Sequence, residues 1–274
     1  MTETSAPRSY RPMKAPLLSA VFALALIRAA PAPSLDGTWT ADLSSQSISP
    51  YPDVYLVKEG QYRCDSCTPP RAYPADGKAR PVPGDTEVTS ESVTVSGPRS
   101  IVTRIDSPAL QRVTTMTAAA DGKTAAYVSI DHRPGIAGPL RSEYLARRTA
   151  PAPPGAHPVS GSWQGVRYVT VPWQVRTVTL KLDGERFSYS VPTGVRYSAV
   201  VGGPAVKVEG PYKGAMFAAV KRLDARTVEE TRTEDGKVVF VRTYRLAADG
   251  RSLRTETRNA LTGGVFAVTS HRKR

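Results

Sequence analysis

Single alternation of apolar and polar residues runs through most of this chain. Val178, Leu180 and Leu182 alternate with Thr179 and Lys181, and Phe187, Tyr189 and Val191 alternate with Ser188 and Ser190. Successive residues of a strand point to opposite faces, so each run predicts a half-buried strand. Asp183-Gly184 lies between the two runs and predicts a tight hairpin, because a type I′ turn needs positive φ at both central positions. Asp76-Gly77, Asp121-Gly122, Asp235-Gly236 and Asp249-Gly250 repeat the signal. After Asp235-Gly236, the residues Val238, Phe240, Arg242, Tyr244 and Leu246 share one strand face. No sustained 3.6-residue apolar period appears beyond the N-terminal segment. The pattern predicts an all-β fold, an antiparallel up-and-down meander that closes as a barrel or a strongly curved sheet.

The pattern is written twice. Gly37-Thr38-Trp39 and Gly161-Ser162-Trp163 each open a stretch of strand and turn signals. Thr115–Lys123, with Ala119-Ala120-Asp121-Gly122, aligns with Thr243–Arg251, with Ala247-Ala248-Asp249-Gly250. Between the copies, residues 150–158 are rich in proline, which fixes φ, removes amide donors and favours an extended spacer. The expected organisation is a first module over 34–149, a Pro-rich linker over 150–158 and a second module over 159–274.

Residues 1–32 read differently. Arg8, Arg11 and Lys14 precede an uncharged run from Ala15 to Ile27, and Ala29, Ala30 and Ala32 follow it. This is the layout of a secretory signal peptide, and the run is too short for a membrane-spanning helix, which takes about 20 apolar residues. Met13-Lys14 would itself begin a well-formed signal. The expectation is an exported protein, periplasmic or extracellular, with no transmembrane span after the signal.

An opening strand with Gly-x-Trp, a meander of hairpins and a late basic residue resemble the calycin group of lipocalins, fatty-acid-binding proteins and avidins. Leu35-Asp36-Gly37-Thr38-Trp39 and Val159-Ser160-Gly161-Ser162-Trp163 carry the resemblance. More narrowly the chain resembles uncharacterised bacterial envelope proteins with lipocalin-like modules, here two in tandem. The resemblance implies that a late arginine packs over each tryptophan at the closed end of a barrel. Arg147 or Arg148, and Arg272, stand where that residue would be for Trp39 and Trp163. The lipocalin Thr-Asp-Tyr motif is missing, no C-terminal helix is evident and each copy is short.

A small barrel interior is filled by side chains or holds one small ligand. Trp163, Trp173, Phe187, Tyr189, Phe240 and Tyr244 are the candidate lining of an apolar cavity, and ordinary core is the competing reading for each. Cys64 and Cys67 are the only cysteines, and in an exported protein they predict a disulfide. A thiol-redox pair is the alternative; zinc would need further ligands. His132, His157 and His271 are scattered, Asp131-His132 has no accompanying nucleophile signature, and neither a P-loop nor a dinucleotide fingerprint is present. No catalytic set, metal or cofactor is expected.

Charge is shared unevenly. Residues 33–150 carry 13 Lys and Arg against 13 Asp and Glu, whereas residues 151–274 carry 20 against 10, a net +10. Arg242, Arg245, Arg251, Arg254 and Arg258 recur through one predicted hairpin. Such a surface concentrates polyanions, which in an envelope are anionic lipid or polysaccharide rather than nucleic acid. The leading expectation is a non-enzymatic envelope binding protein with an apolar or lipid-like ligand in a barrel and an anionic surface as second partner. A protein-interaction module with filled barrels and a thiol-redox factor are the alternatives. Oligomeric state is open.

Overall fold

A computed structural model describes residues 34–48, 50–85, 88–212 and 214–273. The expected signal segment 1–32 and Arg274 lie outside them. In chain order the strands are β1 Gly37–Ala41, β2 Asp53–Lys58, β3 Gln61–Cys64, β4 Arg71–Pro74 and β5 Arg80–Pro81. There follow β6 Ser90–Gly97, β7 Ser100–Asp106, β8 Gln111–Ala118, β9 Thr124–His132 and β10 Leu140–Ala150. The second half holds β11 Gly161–Thr170, β12 Thr177–Asp183, β13 Arg186–Ser190, β14 Arg196–Val200 and β15 Val206–Lys207. It ends with β16 Met216–Asp224, β17 Thr227–Glu234, β18 Lys237–Leu246, β19 Ser252–Asn259 and β20 Val265–Arg272. Among the described residues, helical turns occupy only Leu43–Ser45 and Trp173–Arg176. The fold is all-β, as the alternation predicts.

The strands form two ten-stranded antiparallel sheets. Sheet I runs β4-β3-β2-β11-β10-β9-β8-β7-β6-β5, and sheet II runs β14-β13-β12-β1-β20-β19-β18-β17-β16-β15. Sheet II curls until its edges nearly meet: Arg196 and Glu209 exchange both backbone hydrogen bonds at 2.9 Å, and the Gly202 N–H donates to the Val220 carbonyl at 2.7 Å. Sheet I is a more open half-barrel whose edges touch through an Asp76–Thr94 bridge.

Sheet membership differs from the division expected at 150–158. The Pro-rich segment joins two neighbours of one sheet, β10 and β11, and the chain passes between sheets at 42–52 and 171–176. Each Gly-x-Trp strand lies in the sheet built from the other repeat. β1 sits between β12 and β20, and β11 sits between β2 and β10. Loop closure supplies a reason. A strand that directly follows β10 reaches its side by a short connection, whereas β1 would have to close a loop of about a hundred residues to pair there. In sheet II the equivalent place beside β20 is filled by β1.

Both crossings use the same device. The Trp39 and Trp163 indoles are fully buried, and each Nε1–H donates to the carbonyl four residues earlier, Leu35 and Val159, at 2.8 Å. Asp36 accepts the Leu182 N–H at 2.6 Å, and its counterpart Ser160 accepts the Val57 N–H at 2.8 Å. Each motif thus satisfies a backbone donor of a strand from the other repeat. At Gly161, φ is +112°, and a Cβ there would lie 2.6 Å from the Ala150 carbonyl and 2.7 Å from the Arg148 guanidinium. Only glycine allows that close approach.

The turns follow the Asp-Gly signals unevenly. Asp235 and Gly236 both have positive φ between the paired residues Glu234 and Lys237, as a type I′ hairpin requires. In the β12–β13 hairpin Asp183 pairs with Arg186, so the turn is centred on Gly184-Glu185, one residue later than the sequence suggests. Asp76-Gly77 makes no hairpin and forms the bridge that draws the edges of sheet I together.

Candidate functional site

The interior of sheet II is occupied. On β17 the inward positions carry charge: Glu230 is fully buried, Arg232 is 2% exposed, and the two form an ion pair. Tyr244 donates its hydroxyl to Glu230 at 2.8 Å, and Arg242 lies 3.6 Å from the same carboxylate. The Arg232 guanidinium stands 4.8 Å from the Tyr197 ring and 5.2 Å from Tyr189. Burial works against its charge, but Glu230 and the tyrosines outweigh that, so it is held above the ordinary arginine value. A buried charge with this many partners is satisfied structure. In sheet I, Arg71 plays a similar part, donating to Glu91 at 2.6 Å and to Asp85 at 2.5 Å.

A cavity of about 520 Å³ lies where residues of both sheets face one another. Sheet I contributes Arg112, Ser129, Asp131, Ser142, Tyr144 and Tyr168; sheet II contributes Val178, Tyr189, Arg242, Tyr244, Thr257, Phe266 and Val268. The two crossing segments complete it with Leu43, Gln46, Val171, Val175 and Arg176. Four arginines and one carboxylate, Asp131, stand on its wall.

Two of those arginines share one carboxylate. Asp131 accepts from Arg112 at 2.6 and 2.8 Å and from Arg133 at 2.9 Å. Burial works to raise the Asp131 carboxyl, and the hydrogen bonds and charges of these arginines outweigh it, holding it below the ordinary carboxylate value. Arg176 differs: its one hydrogen bond goes to the Ala41 carbonyl at 3.2 Å, and among the described residues it forms no ion pair. Burial raises the Tyr144, Tyr168 and Tyr244 hydroxyls, so they remain protonated donors. Three buried polar atoms on this wall, Gln46 Oε1, Arg133 Nε and Arg176 Nε, have no hydrogen-bond partner. Buried polar groups in folded proteins are nearly always partnered; four further orphans, Arg71 Nε and the Tyr73, Tyr127 and Tyr197 hydroxyls, lie off this wall.

Of the expected lining, Tyr189 and Tyr244 reach the cavity. Trp163 and Phe187 are fully buried core. Phe240 lies under the Arg232 and Arg242 guanidinium groups at 5.7 and 4.7 Å. Trp173 is 52% exposed on the turn between the sheets, with the Lys273 ammonium 5.6 Å from its ring. The arginine–tryptophan pairs form across the repeats: Arg272 stands 4.7 Å from the Trp39 ring and Arg148 stands 4.1 Å from Trp163. Arg147 is the cross-strand neighbour of Gln164 and stacks on neither tryptophan. Arg245, Arg251, Arg254 and Arg258 are exposed, while Arg242 points inward.

Cys64 and Cys67 form a disulfide, with Cys64 buried at the end of β3. No family model matches this chain, and no curated protein or solved structure matches it. The histidines stay apart: His132 is exposed, His157 contacts the Gly97 carbonyl at 2.9 Å and His271 lies 3.9 Å from Asp42. Asp131 lies near the end of β9 as the buried anchor of two arginines. No group of metal-ligating side chains occurs, and no helix is long and apolar enough to cross a membrane, among the described residues.

Sequence reasoning missed Gln46, Arg112, Arg133 and Arg176. Only the lack of a nearby acid beside Arg176 in Val171–Thr177 set any of them apart.

Proposed function

We propose that this chain is a non-enzymatic, exported binding protein that takes a small molecule with an apolar part in the cavity between its two sheets. The observation that carries this reading is the meeting of three unpartnered buried polar atoms on one largely apolar wall. Its volume falls within the usual range for small-molecule sites. Export rests on the N-terminal sequence alone. The buried Cys64 sulfur favours a disulfide staple over thiol exchange, which needs access. Native mass spectrometry of protein purified without detergent tests the reading. A discrete adduct at one per chain is expected, and it should be lost in a Thr257→Trp variant that fills the cavity. A bare chain from every preparation would contradict it and favour filled sheets that serve a protein partner.

One observation favours an anionic surface as a second partner. Arg245 and Arg254 are exposed and directly opposite one another across β18–β19, with Arg258 further along the same face of β19. Like charges in that relation are unfavourable, and Glu256 on the same face and Asp224 near Arg245 offset only part of the excess. Binding to phosphatidylglycerol vesicles that weakens steeply between low and physiological salt is the expected signature.

A further inference from the structure

Beside the central cavity lies a second hollow of about 400 Å³. The two share Tyr168, Thr257 and Phe266 in their walls, and the second adds Ile48 and Val265. The ends of this path differ in chemistry. At one end Arg176 contacts the Ala41 carbonyl, and Ala41 pairs with Ser270. At the other end Phe266 is 37% exposed, and Ile48 lies against Gly165. Ser270 and Phe266 lie on one face of β20, four residues apart, so the ends are separated by about 13 Å of strand. The path therefore leads from the Arg176 guanidinium, whose charge helps lower the Asp42 carboxyl, past the Tyr168 ring, to a mainly apolar trough.

We propose that the ligand is a single-chain amphiphile with one anionic oxygen head, a carboxylate or a phosphate, held at Arg176, and a tail that runs past Tyr168 to Ile48 and Phe266. The inference rests on the cavity reading above. A guanidinium suits a carboxylate or phosphate because it presents planar paired donors. Arg112 and Arg133 share Asp131, and Arg232 and Arg242 share Glu230, so the wall carries excess positive charge, and Arg176 is the arginine on it with no carboxylate within ion-pair distance among the described residues. The unpartnered Gln46 Oε1 accepts a hydrogen bond and so suits a head that also carries a hydroxyl or a protonated acid oxygen.

Calorimetric titration of the intact mature protein with dodecanoate, dodecyl phosphate, dodecanol and dodecyltrimethylammonium tests this. One or both anions should bind at one per chain, and whichever binds more tightly identifies the head. Arg176→Gln should weaken the anion by about tenfold or more, the scale of a lost charge-assisted hydrogen bond, and leave dodecanol unchanged. Arg176→Lys should recover much of the loss, and Phe266→Ser should weaken dodecanoate more than octanoate. If dodecanol or the cation binds as tightly as the anions, or if Arg176→Gln changes nothing, the head assignment is overturned while the cavity reading stands. If no amphiphile of any charge binds at one per chain, the cavity reading falls as well.

Discussion

One guanidinium at each crossing holds a strand of one repeat in the sheet of the other. Arg148 donates to the carbonyls of Gly122 at 2.5 Å, Pro158 at 2.6 Å and Ser160, while its face covers Trp163. Loss of the stacking and of these bonds in Arg148→Ala should cost about 2–4 kcal/mol in urea unfolding, and Arg148→Lys should recover less than half. Asp131 makes a prediction in pH. Its carboxyl is held below the value it has in the unfolded chain, so its contribution is present above about pH 4 and is lost as pH falls through the folded value. Asp131→Asn should therefore flatten the acid limb of the stability curve and leave its neutral-to-alkaline shape unchanged; an unaltered acid limb would contradict this. At this scale the sequence was only partly legible. Trp39 and Trp163 could be read from their motif because tryptophan is rare here, with three in the chain, and two of them follow Gly-x in the same place in both copies. Arg232, Glu230 and Asp131 could not, because alternation assigns charged residues to the solvent face and these three point inward.

The strands were the most legible elements, since period-two alternation is a local signal and the two hairpin runs of the second repeat fall on β12 and β13. Their partners were not. A repeat in sequence suggests a repeat in space, yet β11 takes the place beside β10 by a short connection, and β1 lies instead between β12 and β20. Sheet membership therefore changes at the crossing segments rather than at the prolines. A fragment of residues 50–172 contains every strand of sheet I, whereas one of residues 34–150 lacks its β11 and carries an unpaired β1. The first should keep native far-ultraviolet circular dichroism and a cooperative melt, and the second should not. Cooperative folding of 34–150 alone would show that strands are not exchanged between repeats.

At the scale of the whole molecule, the exchange makes the cavity. The segments that carry the chain between sheets, 42–48 and 171–176, also supply Leu43, Gln46, Val171, Val175 and Arg176 to its wall. A site assembled from two sheets and two connections has no local sequence signature, which is why aromatic residues inside a single barrel were the natural candidates and only Tyr189 and Tyr244 proved to face it. The measurement that bears most directly on this account is hydrogen–deuterium exchange of the mature protein with and without saturating dodecanoate. A site between the sheets predicts slowed exchange in both at once, around residues 129–133, 171–178 and 265–270, with little change at the β2–β3 and β13–β14 turns. Protection confined to the strands of one sheet, or no protection despite measured binding, would contradict a site between the sheets.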